Sequence, residues 1–337
     1  MPVLSRPAIL LAAASVAAGL LVAPGAAHAG AGTTAETATE LSAAEMKAAV
    51  AAVAEATEAA GATGWAARAD FSISAGGNSL TGWQRLRIDR VRWAADSTFA
   101  LSGQAESRSV LKQGAGVYDP VADGMGRSAL KMMGRPAVRY VFEADPSVTL
   151  DKAAPGPVEL AAPTVGAGTR TVHEDGTIDY RFSEPTVGDV TLHTDVSSVL
   201  TSAESDLSDD GLTVSMAIGY TYGEQDVAVP AAGETIDAKT LAAGVAYLGM
   251  AGTVKSAATG GAADTRKAAK GGTVKVATLR TLVGRKAAAA NRSAGVAMVK
   301  VKNITAGVRV YATNPWTKKS AAYTVKASGK KVVTKKA

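Results

Sequence analysis

The chain changes its period twice. Between Ser42 and Ala60 the larger apolar residues Met46, Val50 and Val53 recur at helical spacing, and Ser42-Ala-Ala-Glu45 forms a capping box. This predicts an amphipathic helix over 42–60, ended by Gly61. From Trp65 the period falls to two. Trp65, Ala67, Ala69, Phe71 and Ile73 alternate with Ala66, Arg68, Asp70 and Ser72. After the turn Gly76-Gly77-Asn78, Leu86 and Ile88 alternate with Arg85, Arg87 and Asp89, and Val91 and Trp93 continue after a shift of phase. The pattern predicts an antiparallel sheet with one wet face.

Residues 97–142 are less regular. Short strands are expected near Phe99–Leu101, Ser107–Leu111 and Arg139–Phe142, with a helical turn over Ser128–Met133. Residues 150–168, rich in proline and glycine, read as a loop. The clearest alternation runs from 170 to 230. Arg170–His173 leads into Glu174-Asp175-Gly176, a hairpin signal. Ile178, Tyr180 and Phe182 follow, then Val190, Leu192, Thr194 and Val196, then a strand over Val199–Leu207 and a second turn at Asp209-Asp210-Gly211. In the last strand Leu212, Val214, Met216, Ile218, Tyr220 and Tyr222 share one face, which is therefore expected to be buried. Beyond Pro230 a helix is predicted over 237–250, with Leu241, Val245 and Leu248 on its stripe.

The two ends of the chain alter this picture. Arg6, the apolar run 8–22 and Ala27-His28-Ala29 have the three parts of a secretion signal, so residues 1–29 read as a removable leader. The mature protein is expected outside the cytoplasm, in the cell envelope or secreted. Residues 30–40 are small and polar and read as a flexible leader. The chain has no cysteine, which excludes disulfides, thiol catalysis, cysteine metal sites and a lipidated cysteine. The alanine- and glycine-rich composition reads as the coding bias of a GC-rich bacterium.

A net charge of +6 hides an asymmetry, because residues 251–337 hold 19 lysines and arginines against one acid, Asp264. Residues 251–272 read as a Gly/Ala/Lys linker. Residues 273–337 read as a basic β-hairpin module, with strands near Val274–Leu279, Val296–Lys302, Val308–Ala312 and Ala321–Ala327. Its candidate contacts to anionic wall polymers or a membrane surface are Lys300, Lys302, Arg309, Lys318, Lys319, Lys326, Lys330, Lys331, Lys335 and Lys336. Docking on the acidic part of the chain is a further use. Nucleic acid is not expected as a partner of an exported protein, although Trp316 and Tyr323 could stack on bases.

Within 190–230, the strands Thr191–Val196, Val199–Leu207 and Gly211–Pro230, with Tyr220-Thr-Tyr222-Gly223 and Asp226-Val-Ala-Val229-Pro230, resemble the closing strands of the actinobacterial LppX/LprG-type lipoproteins. These are similar in fold to the LolA lipoprotein carrier. The resemblance covers about residues 42–250. It implies an α+β protein: a strongly curved antiparallel half-barrel wrapped around helices over 30–250, with the basic module added. It implies a non-enzymatic, monomeric carrier of a lipid or acylated molecule. Trp65, Phe71, Ile73, Leu86, Ile88, Met132, Met133, Leu212, Val214, Met216, Ile218 and Tyr220 would line its cavity. The plainer reading of these residues is a filled core, which leaves the basic module as the functional part.

Chemistry-bearing motifs are sparse. Past the leader only His173 and His193 remain, and no HExxH, GxSxG, SxxK or P-loop occurs, so no enzyme, metal or cofactor is expected. Glu204, Asp206, Asp209 and Asp210 match a calcium loop only in part and read as a solvated hairpin end. Asn291-Arg-Ser293 and Asn303-Ile-Thr305 match the glycosylation triplet by coincidence.

Overall fold

Alternating residues need a surface to bury their apolar side, and in this chain helices supply it. A computed structural model describes residues 36–121, 124–184, 188–209 and 211–337. The expected secretion signal lies outside them. The chain divides into two units: a large-sheet unit of residues 36–120 and 143–230, and a C-terminal unit of 121–142 and 231–337.

The large-sheet unit begins with β1 (Thr37–Leu41), α1 (Ala43–Ala60), β2 (Gly64–Ala75), β3 (Asn78–Asp89), β4 (Ala94–Leu101), β5 (Ser107–Lys112) and β6 (Gly116–Pro120). It continues with α3 (Leu150–Ala153), α4 (Pro157–Ala161), β8 (Gly168–Val172), β9 (Ile178–Glu184), β10 (Gly188–Thr194), β11 (Leu200–Asp209) and β12 (Leu212–Tyr222). The strands line up as β1-β8-β9-β10-β11-β12-β2-β3-β4-β5-β6, and the ladders from β1 to β6 are antiparallel.

The sheet is open and not strongly curled, which corrects the expected half-barrel. A sheet bends sharply where bulges or glycine kinks interrupt its ladders. The ladders from β11 through β12, β2 and β3 to β4 run without a register break. Two further expectations fail locally. Thr37–Leu41 is a paired strand rather than part of a flexible leader, and the expected loop at 150–168 contains two short helices.

α1 starts at the predicted capping box, where the Ser42 amide donates to the Glu45 carboxylate at 2.9 Å. Met46, Val50 and Val53 face the sheet and pack with Trp65, Leu86, Ile88, Leu192, Leu200, Ile218 and Tyr220. Leu150, Val158 and Ala161 from the α3–α4 segment complete this core. Its few polar groups are paired. Thr57 Oγ1 accepts from the Leu200 amide at 3.0 Å, and the Tyr220 hydroxyl donates to the Pro157 carbonyl at 3.0 Å. Burial pushes the phenols of Tyr220 and Tyr222 above their usual range, so both stay neutral hydroxyls.

The opposite face of the sheet is mostly polar and open to water, and one spot on it is buried. Asp96, fully buried, accepts from Arg87 Nε at 2.9 Å and from Arg108 Nε at 2.8 Å. The same arginines donate to the main chain of the segment after β12: Arg87 to the Asp226 carbonyl at 3.2 Å, and Arg108 to the Ala228 carbonyl at 2.9 Å. Between them Val227 packs on Ala94 and Val110. One carboxylate thus orients two arginines that pin a strap across β3, β4 and β5.

The C-terminal unit contains α2 (Gly124–Met132), the first three residues of β7 (Tyr140–Ala144), β13 (Thr235–Asp237), α5 (Ala238–Leu248), α6 (Met250–Ala269) and α7 (Val276–Ala294). Then come β14 (Lys300–Ile304), β15 (Gly307–Thr313), β16 (Ser320–Ser328) and β17 (Lys331–Lys336), paired in that order as an antiparallel sheet. The expected linker at 251–272 is helical, and the expected strand at Val274–Leu279 is the start of α7. Small residues on α6 let the two helices approach closely. A Cβ on Gly261 would stand 2.7 Å from Val283 Cα. Val254, Ala258, Leu279 and Val283 pack on Val308, Val310 and Val325 of the sheet. Asn291 ties the end of α7 to the entry of β14: its amide nitrogen donates to the Val299 carbonyl at 2.9 Å, and its oxygen accepts from the Val299 amide at 2.7 Å.

Asp96→Ala leaves two partly buried arginines without the buried carboxylate that orients them. It should cost about 3 kcal/mol in urea unfolding and speed proteolysis within 223–230. An unchanged urea midpoint would show that the strap is held by Val227 alone.

Candidate functional site: an open basic sheet face

Register decides which cations of the C-terminal sheet meet. The face against α6 and α7 takes Val308, Val310, Val325 and Val332. The other face takes the alternate positions. Lys302 pairs with Arg309, Arg309 with Thr324, and Thr324 with Lys335. Lys300 lies beside Tyr311, Lys326 beside Val333, and Lys331 beside Ser328. Lys300, Lys302, Arg309, Lys326, Lys331 and Lys335 are therefore neighbours on one exposed face. No acid interrupts them. Asp264, the sole acid between 251 and 337, sits on α6 and pairs with Lys286 at 3.1 Å.

Directly opposed like charges destabilise a sheet. Edge lysines have an ordinary role in blocking strand addition, which suits those on β14 and β17. That role does not extend to Arg309 and Lys326 on the inner strands. The Arg309 guanidinium lies 5.8 Å from the centre of the Tyr311 ring. The remaining expected cations fall elsewhere: Lys336 pairs with Tyr323 and points to the helix side, Lys330 is in the β16–β17 turn, and Lys318 and Lys319 lie in the β15–β16 connection.

The expected apolar lining is not gathered round one cavity. Trp65, Leu86, Ile88, Ile218 and Tyr220 are buried against α1 and the α3–α4 segment, so the protein's own side chains fill that space. Phe71 is buried and stacks on Phe99 at 6.0 Å. Ile73, Leu212, Val214 and Met216 are half-buried toward the far end of the same strands. Met132 and Met133 belong to the C-terminal unit, where they pack with Leu130, Val138 and Leu241.

Two surface pockets open instead on the polar side of the large sheet. The larger, about 750 Å³, is a trough lined by Asp70, Ser72, Trp83, Glu204 and Asp206 among others. Two of its lining residues engage Arg68, which pairs with Asp70 at 2.9 Å and lies 4.8 Å from the Trp83 ring centre. The second, about 390 Å³, holds both histidines. His173 Nδ1 is 3.0 Å from Glu36 and its Nε2 is 3.0 Å from Asp179, while His193 Nδ1 is 2.7 Å from the other Asp179 oxygen. A neutral imidazole has one N–H and cannot donate to both carboxylates. The bonds to Asp179 and then Glu36 accordingly raise the His173 pKa. Among the described residues, no group of three or more such side chains is arranged to hold a metal ion.

No protein-family model matches the chain, and no curated protein matches it. Solved structures similar to it include an uncharacterized conserved protein from Thermus thermophilus, at 9% identity and a TM-score of 0.28, covering 55% of this chain and 96% of that one. A LolA superfamily protein from Nitrosomonas europaea is 8% identical with a TM-score of 0.22, covering 56% of this chain and 96% of that one. The MucA/MucB complex of Pseudomonas aeruginosa gives 12% identity and a TM-score of 0.23, covering 56% of this chain and 62% of that one. TM-scores this low decide neither fold nor function.

The His173 bridge ties the start of β1 to β9. A raised folded pKa stabilises the protonated state, so the contribution is full below the ordinary histidine value near 6.5 and is lost as pH rises through the raised value. Amide exchange in β1, corrected for intrinsic rates, should therefore speed up as pH climbs above 6.5. His173→Asn should flatten that dependence. The same pH profile in both proteins would refute the bridge.

Proposed function

We propose that this chain is a non-enzymatic binding protein of the bacterial cell envelope, which attaches to anionic surfaces through the open face of its C-terminal sheet. The observation that carries this reading is the set of six cations on one exposed, acid-free sheet face backed by a packed helical layer. A flexible basic tail would reach the same charge without order. Here a packed core sets the backbone positions of the cations in rows, so less backbone freedom is lost on binding. Such attachment is electrostatic and weakens as salt shortens the screening length.

One observation favours a second reading, an amphiphile held on the large sheet. Leu207, Val214, Ile73 and Leu80 stand in one row across β11, β12, β2 and β3, outside the buried core and partly in water. An acyl chain laid along this row would cover it. Extraction of the purified full chain into organic solvent, followed by mass spectrometry, tests this. Bound lipid that is lost in Ile73→Asp supports the second reading, and lipid-free protein removes it.

For the leading reading, the combined charge reversals Lys302→Glu, Arg309→Glu and Lys335→Glu should lower binding of the full chain to anionic cell wall and anionic vesicles at least tenfold near 0.1 M salt. Wild-type binding should fall steadily as salt rises. Unchanged retention by the triple variant would refute the assignment.

A further inference from the structure

We propose that the open basic face binds a linear phosphodiester polymer of the polyol-phosphate type along a diagonal track of four cations. This deepens the envelope-binding reading and rests on it. The register fixes the track. Lys300 pairs with Tyr311, and Arg309 is the next residue along β15 on the same face. Arg309 pairs with Thr324, and Lys326 is the next along β16. Lys326 pairs with Val333, and Lys331 is the next along β17. Each step moves one strand across and one pleat repeat along, always in the same sense. Diagonal neighbours of this kind lie about 7–8 Å apart. Lys300, Arg309, Lys326 and Lys331 thus form a line about 22 Å long, with one cation on each strand. Lys302 and Lys335 flank it.

A line of regularly spaced cations fits a line of regularly spaced anions. A polymer with one phosphate per short polyol unit presents charges at comparable intervals. An alternating uronic-acid polysaccharide places them a whole disaccharide apart. Arg309, near the middle of the track, has the planar fork that suits a phosphate. Single-stranded nucleic acid would also need stacking platforms. The ring on this face closest to the track, Tyr311, is already partnered by Arg309. A bilayer offers charge in two dimensions and would not distinguish the diagonal from any other arrangement of the same cations.

That difference gives the test. The paired substitutions Lys326→Val and Val333→Lys exchange two exposed, directly paired residues, so they keep the net charge and oppose no like charges but move one cation off the line. The probe is deacylated poly(glycerol phosphate), titrated into the full chain at several salt concentrations, with phosphatidylglycerol vesicles and oligo(dT) as parallel arms. Four phosphate contacts predict a log–log salt slope of about −3 for the wild type. The swapped variant should bind the polymer roughly tenfold more weakly with a slope shallower by about one unit, while binding vesicles like the wild type and keeping its Tm. Equal polymer binding by wild type and swap overturns the track but leaves the envelope reading standing, provided the triple charge reversal still abolishes binding. Vesicle binding without polymer binding, or tighter binding to oligo(dT), overturns the polymer assignment. No salt-sensitive binding in any arm overturns the track and the envelope reading together.

Discussion

Each of the two sheets is dry on one side and wet on the other, and the rest of the molecule follows from that division. A pleated strand sends alternate side chains to opposite faces, so a helix layer on one face commits every second residue to the core. In the large sheet that commitment is met by Trp65, Ile88, Leu192 and Tyr220 under α1. In the C-terminal sheet it is met by Val308, Val310 and Val325 under α6 and α7. What remains for recognition is what the uncovered faces carry. The large sheet shows water a mixture of hydroxyls and charges of both signs, and the C-terminal sheet shows it cations.

The dry spot on the wet side of the large sheet is the exception. Asp96 is buried there because the strap of residues 223–230 lies over it, and the strap lies there because Asp96 orients Arg87 and Arg108 toward its carbonyls. Neither half is stable alone. A buried carboxylate without its arginines would be a large electrostatic cost, and the strap carbonyls without donors would stay in water.

Much of this architecture was legible in the chain. The strands from Trp65 to Asp89 and from Arg170 to Tyr222 declare themselves by period, and α1 by its capping box. α6 was hidden because its packing face is built from Ala257, Ala258, Gly261 and Ala262, residues that also make up linkers. Their smallness is the reason the helix works, since it lets Val283 of α7 come close. α7 resembles a strand at its start because Val274 and Val276 alternate with Lys275 just before the stripe Leu279, Val283 and Ala287 that shows its true period. The basic residues were visible by count, yet their grouping was not. Lys335 and Lys336 are adjacent in sequence and face opposite ways, which register alone decides. The two histidines are far apart in sequence, and the pairing of β9 with β10 brings Asp179 between them.

Asn291 carries a consequence for making the protein. It stands first in an Asn-Arg-Ser triplet, and both ends of its carboxamide are spent on Val299. A eukaryotic secretory pathway can glycosylate such a triplet while the polypeptide is still emerging, before that contact can form. The sugar would replace one of the two hydrogens on the nitrogen that donates to Val299 and put bulk where β14 begins. A yeast or mammalian expression host would then deliver product unable to seat its final sheet, whereas a bacterial host without that modification would not.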